Sequence, residues 1–407
     1  AGVAASGANV LTVRGALTNA SQYSYFVVDG FTAEYVRQLV PGAGTAFVRA
    51  GGAAAVSAAA YAEPLAFALD AAGNPTWIAD ENGGLPEKAW ATASTNERFA
   101  VAEAAAVPCL APEPAAADAW FLAETNRIDY LVLTSRALAP AAQELADYRA
   151  GQGLRAGVAI FEDVCDLLAG GLRTPEAIPA LVRYAAATWA ESPRMLVLAG
   201  NGHYDFLESM GTEPNHLPPL LRQTYDGLFS SDELLADAGG DELPDVAVGR
   251  LPACTAAELS AMVAKIRAYE AEAGAAWQNQ LAFANDKADA AGDFAASVAR
   301  FTNLVQNPFS VSARANLDVQ AIAPARAAFL GAFSNGAGVV HYTGHGTSVK
   351  LSGQGLLTTA DVGVMTNART PFAAMLCCLA GHFDAPAVNS MAELLMQRAA
   401  GGAVAVW

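Results

Sequence analysis

Past residue 120 the chain repeats one pattern. A short apolar run is followed by a segment whose apolar positions recur at helical spacing. The runs IDYLVLTS (128–135), LRAGVAIF (154–161), RMLVLAG (194–200) and LPDVAVGR (243–250) read as buried strands. Between them, PAAQELADYRAGQG (140–153) and TPEAIPALVRYAAATWA (174–190) read as helices, the first stopping at glycine and the second opening with Thr, Pro and Glu. TAAELSAMVAKIRAYEAEAG (255–274) opens with a Thr-x-x-Glu capping box and is strongly helical. The alternation resumes with strand LAFAND (281–286), a helix from Phe294 to about Val305, strand LDVQAI (317–322) and helix APARAAFLGAFSNG (323–336). Strands GVVHY and FAAML, helix VNSMAELLMQRAAGG (388–402) and strand AVAVW complete it. Continuous apolar strands between helices predict a mostly parallel sheet covered on both faces.

The first 118 residues follow a different rhythm. Alternating runs such as VLTVRGAL (10–17) and YSYFVVDGF (23–31), punctuated by Gly, Asn and Pro, predict a β-rich region. The alanine tracts at 52–60 and 104–118 read as loops or spacers, the second a Pro-containing linker. The expected organisation is therefore a β-rich accessory domain over 1–120, a first α/β subdomain over 121–274 and a second over 275–407.

Composition narrows the function. Apolar residues make up 53% of the 407, enough for a large core, and charged residues only 15%. A formal charge of −17 argues against nucleic acid and anionic membranes, which need lysine and arginine. No run is long enough and apolar enough to span a membrane. AGVAASGANV lacks the basic start of a leader, so either a leader has been removed or none existed. The cysteines, Cys109, Cys165, Cys254, Cys377 and Cys378, are odd in number and mostly scattered, with no CxxC pair and no structural-zinc spacing. No metal centre is expected from them.

Chemistry concentrates in GVVHYTGHG (338–346) and AAMLCCLAGHFD (373–384). One apolar strand ends just before His345–Gly346 and the other just before Cys378. In parallel sheets, sites form beyond the carboxyl ends of strands. Neighbouring strands ending this way would set an imidazole beside a thiol, as thiolate nucleophilic catalysis requires. Each residue also has a plainer reading. Free cysteines are usually small core residues, and a histidine can be an ordinary surface loop residue. Cys377 reads as a core residue pointing away, His341 as packed core, His203 as an exposed loop residue and His382 as a weak second base. His216 is uninformative.

The HYTGHG and CLAGHFD motifs, 33 positions apart from His345 to Cys378, resemble those of the gingipain-type cysteine peptidases, which have a caspase-like fold. Pro386, the SMAELLM helix and the upstream LVLAGNGHYD, SSDELLAD, ELPDVAVGRLP and KIRAYE segments extend the resemblance over nearly all of 125–407. Asn201 stands where the family commonly has Asp, and no Trp closely follows the histidine motif. The resemblance implies Cys378 as nucleophile, His345 as base, and the N–H groups of Gly346 and Cys378 as oxyanion donors. It implies Asp286 as a carboxylate that orients the histidine and Asp293 as an acidic residue in a pocket for Arg or Lys. Asp286 reads equally as a plain loop carboxylate and Asp293 as a helix N-cap. Asp232 and Asp245 are candidates for turn caps or a structural calcium site, and no cofactor is implied for catalysis. A peptide or protein substrate and a secreted or cell-surface location are implied. So is a processed or incomplete chain, with a downstream segment or a cleaved partner chain completing the fold. The competing expectation is a catalytically silent relative serving as a binding or structural module. A nucleotide-binding reading lacks both GxGxxG and GxxxxGK[ST].

Overall fold

A computed structural model describes residues 46–49, 55–57, 63–69, 75–78, 89–91, 98–106, 119–225 and 227–407. The strand readings at 10–17 and 23–31, most of the Pro-containing linker, and Cys109 lie outside these residues. The chain forms two compact units, residues 1–114 and 115–407.

Among the described residues of the first unit the strands are β1 (Ala46–Arg49), β2 (Ala55–Ser57), β3 (Pro64–Leu69), β4 (Pro75–Trp77), β5 (Ala89–Ala91) and β6 (Arg98–Glu103). An antiparallel sheet has the order β1-β6-β3-β4, and β2 pairs separately with β5. Strand β2 falls inside the alanine tract expected to be a spacer.

The second unit holds two parallel sheets. Strands β7 (Tyr130–Thr134), β8 (Ala156–Ile160), β9 (Met195–Ala199) and β12 (Ala247–Leu251) form the first, in the order β12-β9-β7-β8. Between the last two in sequence lies a hairpin of β10 (Leu221–Thr224) and β11 (Gly227–Ser230). Helices α1 (Ala139–Gly151), α2 (Phe161–Leu168), α3 (Ala177–Thr188) and α4 (Ala256–Ala271) flank this sheet. Alternate side chains of β7 serve opposite faces. Leu131 and Leu133 pack with α2 and α3, while Tyr130 and Val132 pack with α1 and α4. Every β7 residue is buried, hence its unbroken apolar run. Burying one such leucine contributes about 2 kcal/mol. The capping box at the start of α4 is formed by Thr255 and Glu258.

The second sheet has the order β14-β13-β15-β18-β19, with β13 (Gln280–Asn285), β14 (Ser310–Asn316), β15 (Val339–Thr343), β18 (Phe372–Leu376) and β19 (Ala405–Val406). Helices α6 (Ile322–Asn335), α7 (Thr359–Gly363) and α8 (Met391–Gln397) pack with its main core. Helix α5 (Phe294–Asn303) contacts β13 and β15. A short hairpin of β16 (Lys350–Leu351) and β17 (Leu357–Thr358) follows β15. The strand expected at 317–322 lies instead at 310–316. SVSARAN alternates as a sheet-edge strand, whereas 317–320 form a turn with Leu317 dropped into the core.

One buried cation spans the two sheets' helices. Lys265 of α4 donates to the carbonyls of Met396 (2.5 Å), Ala403 (3.0 Å), Leu395 (3.3 Å) and Gly401 (3.3 Å). Burial pulls its ammonium down to about 8. These acceptors are carbonyls at the end of α8 and in the turn beyond it, and that of Leu395 also accepts the Ala403 N–H (2.9 Å).

Candidate active site

Three adjacent strands of the second sheet end in the residues of interest. Asp286 is the first residue after β13, His345 the second after β15 and Cys378 the second after β18. The strands lie side by side in the order β13-β15-β18, with Asn285 paired to Thr343 and Thr343 to Leu376. His345 and Cys378 are thus equally displaced from one paired rung, at the carboxyl edge where parallel sheets present ligands.

Glycine lets the two loops meet. A Cβ at Gly346 would fall 2.6 Å from Cys377 Sγ and 2.8 Å from the Cys378 carbonyl. A Cβ at Gly344 would fall 2.3 Å from Asp286 Cβ. Both approaches are open only to a residue without a side chain. The N–H groups of Gly346 and Cys378 donate to no acceptor among the described residues.

The two cysteines differ. Cys378 is exposed. Cys377 is half-buried against Gly346, and burial, then the neighbouring Cys378, pushes its thiol up to about 12.

Asp286 is buried and lies under the histidine loop. Its carboxylate accepts from the Lys287 N–H (2.8 Å), the Ser352 hydroxyl (2.8 Å) and the His345 N–H (3.2 Å). The Tyr342 hydroxyl, with one proton, lies 3.2 Å from Asp286 and 2.8 Å from the His345 carbonyl. Ser352 also donates its N–H to that carbonyl (2.8 Å) from a left-handed backbone, φ 62°. The contacts of Asp286 are therefore to the backbone of His345, and none is to its ring.

The ring meets a residue that the sequence reading passed over. His345 Nε2 lies 2.8 Å from Asp289 Oδ2, with both side chains about half exposed. Asp289 Oδ1 accepts the Ala291 N–H at 2.8 Å. That bond first, and then the imidazole, holds the carboxyl below the usual carboxylate range. The Phe294 ring stands edge-on to the imidazole at 5.3 Å. Asp293 is exposed and caps α5, accepting the Ala296 N–H at 2.8 Å.

The other histidines lie elsewhere. His341 is packed between Phe283 and Phe301, and burial pushes its imidazole down to about 4. His203, expected to be exposed, is buried, with Nε2 3.1 Å from the Glu213 carbonyl. Loop polarity in the sequence hid this, because Asn215 closes the loop over it. His216 is buried between the Ser135 hydroxyl and the Cys254 carbonyl. His382 pairs with Asp384 at 2.9 Å. Asp232 holds Arg250 bidentately, and Asp245 accepts the Ala238 and Gly239 N–H groups. Among the described residues no cluster of potential ligands is fit to hold a metal.

The loop after Cys378 is fastened to the first sheet's side. Phe383 lies under the Arg250 guanidinium at 4.7 Å. The Tyr204 N–H reaches the Asp384 carbonyl (2.9 Å), and the Ser230 N–H reaches its carboxylate (3.1 Å). Ala387 donates its N–H to Glu213 (3.0 Å).

Comparison with known proteins agrees with this architecture. The model of peptidase family C25 matches residues 123–407. No curated protein matches the chain. A solved structure described as a protease aligns with a TM-score of 0.55 at 17% identity, over 69% of this chain and 58% of that one. The complex of Porphyromonas gingivalis RgpB pro- and mature domains aligns with a TM-score of 0.55 at 20% identity, over 68% of this chain and 63% of that one. The Arg-specific cysteine proteinase gingipain R gives 0.55 and 20%, over 68% of this chain and 62% of that one. The chain thus spans 58–63% of the length of these solved chains, and at such identities the likeness is one of fold.

Proposed function

Because the chain belongs to peptidase family C25, the gingipain-type cysteine peptidases, we propose that it hydrolyses peptide bonds through Cys378 and His345. One observation carries this reading: the loops after β15 and β18 touch at Gly346 and Cys377–Cys378, within three residues of the paired strand ends. A free thiol of pKa about 8.5 is a poor nucleophile until a base removes its proton. His345 takes that proton, and the Cys378 thiolate attacks the scissile carbonyl. The N–H groups of Gly346 and Cys378 receive the oxyanion, and losing one such donor costs on the order of 3 kcal/mol. The imidazolium then protonates the leaving amine, and water hydrolyses the thioester. The half-buried thiol of Cys377 takes no part.

The substrate is a peptide or protein with Arg or Lys before the scissile bond. Asp286, Asp289 and Asp293 share one loop beside His345, and a relative of the same fold is Arg-specific. Asp293 faces solvent at the head of α5, where a carboxylate can meet a guanidinium with charge-assisted bonds. A secreted or cell-surface setting suits the same premise.

The test is turnover of fluorogenic peptides ending in Arg, Lys or a neutral residue. Parent activity on the basic peptides, abolished by Cys378→Ala with the melting temperature retained, is the expected result. Equal cleavage by Cys378→Ala removes the assignment, and an unchanged profile in Asp293→Ala removes that residue from the pocket.

A further inference from the structure

We propose that Leu379, the residue after the nucleophile, centres an apolar subsite for a bulky apolar side chain of the substrate on the acyl side of the scissile bond. The proposal rests on the peptidase reading above. Leu379 stands at φ 58°, a left-handed backbone that a residue with a side chain adopts only at a cost. Its carbonyl accepts the His382 N–H (3.1 Å), which closes the turn that holds this conformation. The strain does not serve the core. The next residue, Ala380, is 3% exposed and packs in the second sheet's core, whereas Leu379 is 41% exposed. Glycine would take this turn without strain, and a polar side chain would suit the exposure. The turn instead holds a hydrocarbon side chain against solvent, one residue from Cys378.

Leu379 has company. Val388 lies at the other end of the same loop, and Tyr204 and Leu228 come from segments fastened to it; all three are 43–44% exposed. Tyr204 gives its N–H to the Asp384 carbonyl. Ser230, two residues beyond Leu228 on β11, gives its N–H to the Asp384 carboxylate. Asp384 thus gathers the three segments that carry these residues. Exposed apolar residues scattered singly are ordinary, but on segments tied together beside a nucleophile they form a surface for hydrocarbon. The substrate itself is the occupant, because this surface is continuous with the site. Its acyl half stays bonded to Cys378, while the amine half departs with the proton from His345. Groups on the Cys378 loop therefore meet residues before the scissile bond. Asp293 belongs to the segment after β13, on the other side of β15 from β18, so separate loops read the basic residue and the apolar one.

The experiment uses the full chain and fluorogenic peptides with one basic residue before the scissile bond. Leu, Phe, Ala, Ser or Glu is placed at each of the two positions preceding that residue, or at each of the two after the bond. The parent is expected to favour Leu or Phe over Ala about tenfold in kcat/KM at a preceding position. Leu379→Ala and Leu379→Gly should bring that ratio close to one, and Leu379→Met should keep most of it. Leu379→Gly should also retain or raise the melting temperature, since glycine relieves the left-handed backbone. A parent without apolar preference before the bond overturns the proposal, as does a preference confined to positions after it. So does a ratio unchanged in Leu379→Ala and Leu379→Gly, whatever their melting temperatures. In each of these outcomes the peptidase reading stands. A parent that cleaves none of the peptides and leaves Cys378 unlabelled by a peptide-based electrophile sinks that reading first, so the two failures are distinct.

Discussion

Adjacent cysteines with opposite surroundings sit at the end of β18. Burial holds the Cys377 thiol up near 12, so it stays protonated at neutral pH, while Cys378 faces solvent. Brief iodoacetamide treatment near neutral pH should therefore modify Cys378 and spare Cys377. Peptide mapping checks this, and comparable labelling of both would remove the distinction. His345 and Cys378 were legible in the sequence because each follows an apolar strand within two residues, and strand ends can be read from one chain. Asp289 was not legible. The segment DKADAAGD offers three aspartates, and only the closed turn from Asp289 to Gly292 decides which one reaches the ring. His203 was misread because burial by a polar loop leaves no apolar signature.

Helix α8 follows the cysteine loop and starts with a capping box in which Glu393 accepts the Ser390 N–H (2.7 Å) and hydroxyl (2.8 Å). Burial dominates over these bonds and raises the Glu393 carboxyl to about 7. A carboxyl that holds its proton more tightly when folded makes the native state bind more protons between its unfolded value, about 4.3, and about 7. Its contribution is full below that window and is lost as pH rises through it. The parent should lose roughly 1–3 kcal/mol of stability relative to Glu393→Gln across the window. Urea unfolding of both proteins at pH 4.5 and pH 7.5, chosen to bracket it roughly, measures this, and parallel curves would refute it. Elements of this kind were mostly readable, since α4 and the buried parallel strands carry strong periodic signals. The exceptions have physical causes. Strand β14 is an exposed edge whose apolar content is low, so the more apolar 317–322 attracted the assignment. Helix α2 starts at Phe161 directly against β8, without a punctuating turn residue.

The two sheets of the 115–407 unit cooperate at the cysteine loop, and this could not be read from the sequence. Arg250 on β12 binds Asp232 through two 2.7 Å contacts, donates to the Gly200 and Leu217 carbonyls, and stacks its guanidinium over the Phe383 ring. Nothing in a linear pattern links residue 250 to residue 383, because the contact arises from how separate helices and strands pack. Removing the guanidinium leaves Asp232 and two carbonyls without their partner. Arg250→Ala should cost about 3–5 kcal/mol. It should also raise hydrogen exchange over 379–388 and lower peptidase turnover. Unchanged exchange in that loop would show that Phe383 needs no such support.

Lys265 carries a broader consequence. Its ammonium is clasped by four carbonyls from residues 395–403, and no water can replace it without entering the interior. Prising α4 away from the end of α8 would strand those oxygens together with a naked cation. A clamshell opening of the two sheets is therefore disfavoured. Any guest at the carboxyl edge must be admitted by rearrangement of surface loops around an unyielding chassis.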